Sequence, residues 1–486
     1  MGQDDGKNLI LAAVLSMLVV FAWMALFPPA PPPEQPEAPV AAADGSVPAP
    51  VVEGQSAEEV VAQTREAALT AGSRIPILTD AVRGTIRLKG GRIDDLELLK
   101  YNVVQYDDSE KVVLLSPAGT PAPYYIDYGW TRTAEMDPLP LPKGDTEWAL
   151  ESGNQLGVNS PITLSWDNGE GLIFRRTIDL DDEYMFRVTQ SVENTTDQQI
   201  SLAPYGKIVR NEGISSTGLW ILHEGAVAVL DDELQEMGYS DLDDLPANVS
   251  TTGQSQLTRV QQNGWLGFTD KYWMSTLVAQ PGTGFDAIYQ TFLKAGVPEY
   301  QAVLRSNVVS AAPGQTASTE TMLFAGAKAY DSLKGYESET GIKDFVNAID
   351  WGWFYFLTKP IFQALHWIDG QIGNMGWSII TLTLIIKTIL VPLAWKSYVS
   401  MSKMKKLQPE MEKIKERVGD DRQKMQQEMM ALYKKEKVNP ASGCLPILLQ
   451  IPIFFSLYKV LFVTIEMRHA EFMGWIHDLS APDPTS

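Results

Sequence analysis

Cysteine is almost missing from this 486-residue chain; Cys444 stands alone. No disulfide framework is possible within the chain, so any part outside the cytoplasm must hold together on its core. Histidine is nearly as scarce, and His223, His366, His469 and His477 show no metal-ligand spacing. No nucleotide motif is visible either, so the sequence implies no cofactor and no metal. Large apolar residues are lacking between 28 and 72, where PPAPPPEQPEAPV is followed by AEEVVAQTREAALT. Such a stretch cannot bury enough surface to fold and reads as an extended linker. Basic residues are few over most of the chain: residues 28–345 carry 45 acidic and 22 basic side chains. Residues 396–437 reverse this with 12 basic and 7 acidic. Opposed charges of this kind write an orientation in a membrane, the basic loop staying in the cytoplasm.

What the chain does have is long apolar runs. Asn8 to Phe27 is broken only by Ser16. It is longer than the apolar region of a signal peptide, and a proline tract rather than a small-residue cleavage site follows it, so it reads as an uncleaved anchor over 1–27. A second run, Trp377 to Trp395, is long enough to cross a bilayer but carries Lys387 near its middle. That lysine lies roughly 12–15 Å from either interface, beyond the reach of its side chain. Placing it there costs about 2.5–3.5 kcal/mol on insertion scales, so it belongs in a bundle interior or a wet cavity and marks a functional site. A structural alternative is a carboxylate partner on a neighbouring helix. The third run, Cys444 to Val463, contains Pro446, Gln450 and Pro452. These suit a helix beside a hydrated cavity, although each proline also fits a passive kink.

Between the runs the texture changes. From about Arg74 to Ala329, short alternating stretches predict a large all-β sandwich. Thr85 to Ile93 alternates around a Gly90-Gly91 turn, and Tyr184, Phe186 and Val188 alternate with Met185, Arg187 and Thr189. Trp265, Tyr272 and Trp273 could stack on a sugar, which makes a membrane-anchored periplasmic carbohydrate-binding domain the alternative function; packing in a core or interface is the plainer role. Residues 350–368, DWGWFYFLTKPIFQALHWI, are too polar and kinked to span and read as an interface helix. After the second run, Leu407, Met411, Ile414 and Val418 form one stripe and Met425, Met429 and Leu432 another, separated by Gly419-Asp420-Asp421. This predicts an antiparallel helical hairpin. The stripes pack on each other, but six methionines between 401 and 430, beside Lys403, Lys405 and Lys406, also suit nascent apolar segments, ribosomal RNA or anionic lipid headgroups.

Residues 350–484 resemble the bacterial YidC membrane protein insertase family. The stretches that carry the resemblance are WGWFYFLTKPIF, GNMGWSII, SYVSMSKMKKLQPEMEKIKERVGDD, QEMMALYKKEKVNPASGCLPILLQIPIFFSLYKVL and WIHDLSAPDP. The resemblance implies a non-enzymatic insertase of the bacterial inner membrane, multi-pass, with a periplasmic β-supersandwich similar to sugar-mutarotase folds over 73–342. It also implies an interface helix over 343–370, a second span over 376–396, a cytoplasmic hairpin over 397–441, a third span over 442–464 and the start of a periplasmic loop over 465–486. A hydrophilic groove within the bilayer is implied as well, lined here by Lys387, Thr381, Thr383, Gln450, Pro446 and Pro452. The family usually has arginine where this chain has Lys387, which keeps the charge and loses the planar fork. Implied partners are nascent membrane proteins, the Sec translocon (SecYEG and SecDF), the ribosome and targeting factors, and membrane lipids, with no small-molecule substrate. The family continues with further spans, so a chain ending at Ser486 is expected to be part of a longer protein and not to insert substrates alone.

Overall fold

In a computed structural model, residues 64–105, 109–133, 139–211, 222–248, 253–294, 296–419, 421–436, 438, 443 and 445–481 are described. The candidate anchor Asn8–Phe27 lies outside them.

Alternation in the sequence becomes two antiparallel sheets. Strand Leu172–Leu180 buries every second residue without a break, as a half-buried strand should. The Gly90-Gly91 signal is a true turn: both glycines have positive φ, and Val82–Arg87 pairs with Arg92–Asn102 across it. A Cβ on Gly91 would stand 2.6 Å from the Arg176 guanidinium, so only glycine fits. One sheet has ten strands, with Tyr124–Arg132, Ile200–Asn211, Val297–Ser306 and Phe285–Lys294 adjacent at its centre. The other has nine and runs through Gly264–Thr269, Trp273–Ala279, Thr316–Ala327 and Met185–Asn194. Between them lies an apolar core that includes Ile126, Phe174, Phe186, Val188 and Leu277. Arg176 crosses that core fully buried, donating to the carbonyls of Gly91 at 2.6 Å and Tyr128 at 2.7 Å. It thus ties one sheet to the other, with its guanidinium 4.7 Å above the Trp148 ring.

Seven helices are described: α1 (Arg65–Leu69), α2 (Tyr239–Asp243), α3 (Tyr330–Thr340), α4 (Tyr355–Ile372), α5 (Met375–Val418), α6 (Arg422–Lys435) and α7 (Leu445–Val463). α1 falls inside the stretch read as linker. It forms because Thr64 caps it and Arg65 pairs with Asp95 and Glu97, anchoring that end on the ten-stranded sheet. α3 and the 3₁₀ turn Phe345–Ala348 close the far side of the nine-stranded sheet. There Phe345 meets Trp265 and Phe324 edge-to-face at 5.4 and 5.3 Å.

α5 has 44 residues and does not stop at the end of the apolar run. Residues 396–406, KSYVSMSKMKK, contain no glycine or proline, so the helix carries on past the apolar run; it continues through Pro409 and ends only where Gly419 turns it. The expected boundary at 396/397 is therefore a change of surface and not of backbone. Asp421 caps α6, which folds back on α5. Among the described residues two helices, α5 and α7, are long and apolar enough to cross a membrane, and only 11% and 22% of their apolar windows are buried, unlike core helices of a soluble protein.

Candidate functional site

α5 begins under an Asn374 cap, whose side chain accepts from the Trp377 N–H at 3.1 Å. Met375, Ser378 and Leu382 form its buried face, and α4 and α7 both pack against it. Lys387 comes five residues after Leu382, roughly 140° round the helix. It is exposed and makes no hydrogen bond or ion pair with the described residues. The carboxylate partner allowed by the sequence is absent among them. Thr383, half-buried, is one turn earlier and shares the Lys387 face. Thr381 lies roughly 120° away on the other flank. Around the lysine, Leu384, Ile385, Ile389 and Val391 are all exposed, a surface that only lipid or an apolar partner can cover.

α7 runs antiparallel to α5. The ends meet through Ser397, which donates to the Gly443 carbonyl at 3.2 Å, and through Trp377, whose ring lies 5.6 Å from that of Phe472. Pro446 falls in the first turn of α7, where a missing N–H costs no intrahelical bond, and Pro452 lies in its interior. Both are half-buried, whereas Gln450 is exposed. None of these three contacts Lys387 through a hydrogen bond among the described residues. The polar groups picked out in the sequence are therefore two sets on two helices, not one touching cluster.

The hairpin seam is built by Leu407 and Leu432, both buried, and by Tyr433, which donates to the Met411 sulfur at 3.8 Å. Met425 and Met429 are half-buried, while Lys403, Lys405 and Lys406 point to solvent. An Arg417–Glu428 pair clips the turn end. Most of the stripe is thus spent on packing, and Met401 and Met430 remain largely exposed.

Missed in the sequence is a charged joint where α7 meets the β-domain. Lys459 is buried on α7 and binds Asp350 at 2.5 Å, and the same carboxylate oxygen accepts from the His223 N–H at 2.8 Å. Close by, buried Lys328 donates to Thr269 at 2.8 Å and to the Ala348 carbonyl at 3.3 Å. Burial pulls the Lys328 ammonium down to about 8, against the opposing pull of Asp350, Asp270 and Glu236. Beyond α7, residues 464–481 return to the β-domain. Arg468 lies over the rings of Tyr272 and Trp273 at 5.6 and 5.4 Å and donates to the Asn102 carbonyl at 2.6 Å. Lys271 lies 4.0 Å above the Phe462 ring. Two of the three aromatics weighed as a sugar platform are thus joint residues, and the third, Trp265, is fully buried and donates to the Lys343 carbonyl. A lone lysine in the last turn of an apolar run was the signal available for Lys459.

Residues 74–364 match the family model for the YidC periplasmic domain, and residues 367–486 match that for the 60Kd inner membrane protein. The membrane protein insertase YidC of Jannaschia sp. (strain CCS1) is 52% identical over 514 residues, covering 100% of this chain and 81% of the relative. That of Dinoroseobacter shibae is 51% identical over 490 residues, covering 100% and 80%. The chain belongs to the YidC family. Like its YidC relatives it is a membrane protein insertase of the inner membrane and not an enzyme. An active YidC insertase crystal structure with its first transmembrane domain resolved aligns at 19% identity and a TM-score of 0.30, over 85% of this chain and 78% of that one. YidC architecture here means a large β-sandwich domain followed by a helical region with two candidate spans among the described residues.

Proposed function

We propose that insertion by this chain runs past Lys387. A client's short, often acidic, extramembrane tail is drawn toward the ammonium, and its apolar segment then slides into lipid along α7. The observation that carries this is a lysine midway along an apolar span, turned away from the packed face of α5 and lacking a partner among the described residues. At an effective dielectric near 20 and about 5 Å, one carboxylate–ammonium pair is worth roughly 3 kcal/mol before desolvation. Thr383, one turn away, Thr381, Gln450 and the carbonyl freed by Pro452 add polar groups to the path, with Pro446 at the cytoplasmic mouth. Hydrophobic partitioning and the membrane potential drive the step.

In this reading residues 8–27 form a first span and the β-domain, a supersandwich, lies in the periplasm. α4 lies in the outer membrane–water boundary, and the α5–α6 hairpin is cytoplasmic. Lys403, Lys405 and Lys406 with the exposed methionines receive nascent clients from the ribosome and targeting factors, and the insertase works beside the Sec translocon. Support for this comes from the basic charge of the hairpin, the acidic charge of the β-domain and the family resemblance. In a chain extended with the family's further spans, Lys387→Arg is expected to keep insertion of clients with acidic tails, and Lys387→Glu to abolish it. Protease protection of such clients in proteoliposomes is the measurement, and normal activity of the glutamate variant contradicts the electrostatic role.

A further inference from the structure

Where α3, the turn Phe345–Ala348 and the first half of α4 converge, the surface opens into a polar cleft of ≈ 160 Å³. Lys334, Glu337, Asp344, Asn347, Lys359 and Gln363 line it. Two of its four charges cancel: Lys334 binds Glu337 at 2.7 Å, and Glu337 also accepts from the Val346 N–H at 2.9 Å. The other two are kept apart by one amide. Asn347 accepts from the Lys359 ammonium at 2.6 Å through its oxygen and donates to Asp344 at 3.1 Å through its nitrogen. Neither Lys359 nor Asp344 has an ion-pair partner among the described residues, and Lys359 is half-buried. The cleft therefore offers one cation and one anion side by side, facing each other across an amide without a direct ion pair.

That pairing selects its ligand. A simple anion would meet Asp344, and a simple cation would meet Lys359. A zwitterion with a phosphate and an ammonium a few bonds apart satisfies both. A quaternary ammonium has no N–H for the Asp344 carboxylate and seeks an aromatic face instead, so a primary ammonium fits best. The setting supplies the source. On α4, Phe356, Gln363 and Trp367 fall at i, i+7 and i+11 and so form one stripe. Phe356 and Trp367 are 50% and 67% exposed, and Trp353 and Tyr355 extend the exposed aromatic surface. Such amphipathic rings belong at the headgroup level of a bilayer, so the mouth of the cleft opens beside the lipid-facing edge of the helix.

We propose that this cleft binds the phosphoethanolamine headgroup of a membrane phospholipid, Lys359 and Gln363 taking the phosphate and Asp344 the ammonium. The site rests on the reading of α4 as lying in the membrane boundary. A bound headgroup would pin the start of α4 against α3, and with it the angle at which the β-domain stands on the membrane helices.

The test uses the full chain in detergent micelles with equimolar phosphatidylethanolamine, phosphatidylglycerol and phosphatidylcholine of identical acyl chains, read by native mass spectrometry. Wild type is expected to retain the ethanolamine lipid over each of the others by about tenfold, the worth of one charge-assisted hydrogen bond. Asp344→Asn is expected to lose the preference over phosphatidylglycerol, and Lys359→Gln to retain less of the ethanolamine lipid. Asparagine tolerates the left-handed backbone at 344 (φ 55), so that variant keeps the local fold. Equal retention of the three lipids by wild type overturns the proposal, whatever the variants do; so does a preference unchanged by both substitutions. A photoreactive residue replacing Trp367 separates the two readings. Without cross-links to lipid in liposomes the boundary placement fails and the site with it, whereas cross-links without headgroup preference overturn the site alone.

Discussion

A buried lysine shows how strongly a single residue feels the joint. Lys328 is 4% exposed and faces Asp350, Asp270 and Glu236, with the Lys459 ammonium nearby. Desolvation outweighs those carboxylates and holds its pKa at about 8 instead of 10.5. A lysine that binds its proton less tightly folded than unfolded costs stability in full below about 8, here roughly 3 kcal/mol. The cost fades as pH climbs from about 8 toward 10.5, so stability should rise through that window. Above it buried tyrosines such as Tyr124, pushed up to about 12 by burial, reverse the trend. Urea midpoints from pH 7 to 10 are expected to climb for wild type and to climb less for Lys328→Met. Identical slopes would show that Lys328 is not the titrating group. Lys387 is the opposite case, a charge left exposed on α5, and its proposed role is tested by charge reversal rather than by stability.

At the scale of elements, close approach decides several boundaries that composition does not. In strand Thr316–Ala327, Gly326 stands beneath the Tyr184 ring, and a Cβ there would come within 2.2 Å of it. Tyr184 cannot retreat, because it is buried and packs edge-on against Phe324 at 5.9 Å. Gly326→Ala should therefore destabilise the β-domain by about 1–3 kcal/mol. Equilibrium urea unfolding followed by aromatic fluorescence measures it, and an unchanged midpoint would mean the ring has room to move. The helices show the complementary behaviour. α4 carries Pro360, and α5 carries Pro392 and Pro409, yet each helix runs on past them, every proline removing a single backbone N–H without ending it. The hairpin reading from the 4-3-4 stripes matches the packed seam of Leu407, Met411, Leu432 and Tyr433.

For the whole molecule, the proposed orientation rests on charge. With the acidic β-domain periplasmic and the basic hairpin cytoplasmic, as proposed, the two should differ in accessibility. In a chain with Cys444→Ser, Gln199→Cys on the β-domain is expected to react with an impermeant maleimide in intact cells. Gln408→Cys on α5 is expected to react only after the cytoplasm is opened. Both side chains are solvent-exposed, so failure to react reports sidedness and not burial. Labelling of position 408 from outside would invert the topology. The joint formed by Lys459–Asp350, Arg468 over Tyr272 and Trp273, and Lys271 over Phe462 fastens the β-domain to the C-terminal end of α7.

Periodicity and composition alone determined the β-sandwich, the two candidate spans after it, the helical hairpin and the lone lysine within an apolar run. Each of these depends on local spacing: period two for strands, runs of about twenty apolar residues for spans, stripes at 4-3-4 for the seam. The Gly90-Gly91 turn was legible for the same reason. What only the tertiary structure decided involves partners far apart in the chain. Asp350 and Lys459 are separated by 109 positions, and nothing in the spacing of either stretch names the other. The same holds for Arg176 bridging the sheets and for Arg468 resting on Tyr272 and Trp273, aromatics whose composition suited a sugar equally well. The docking of α1 within a stretch poor in apolar residues also needed its carboxylate partners, Asp95 and Glu97, to be in place. Local propensity writes elements, but long-range charge pairing writes joints, and it is visible only once the chain has brought the charges together.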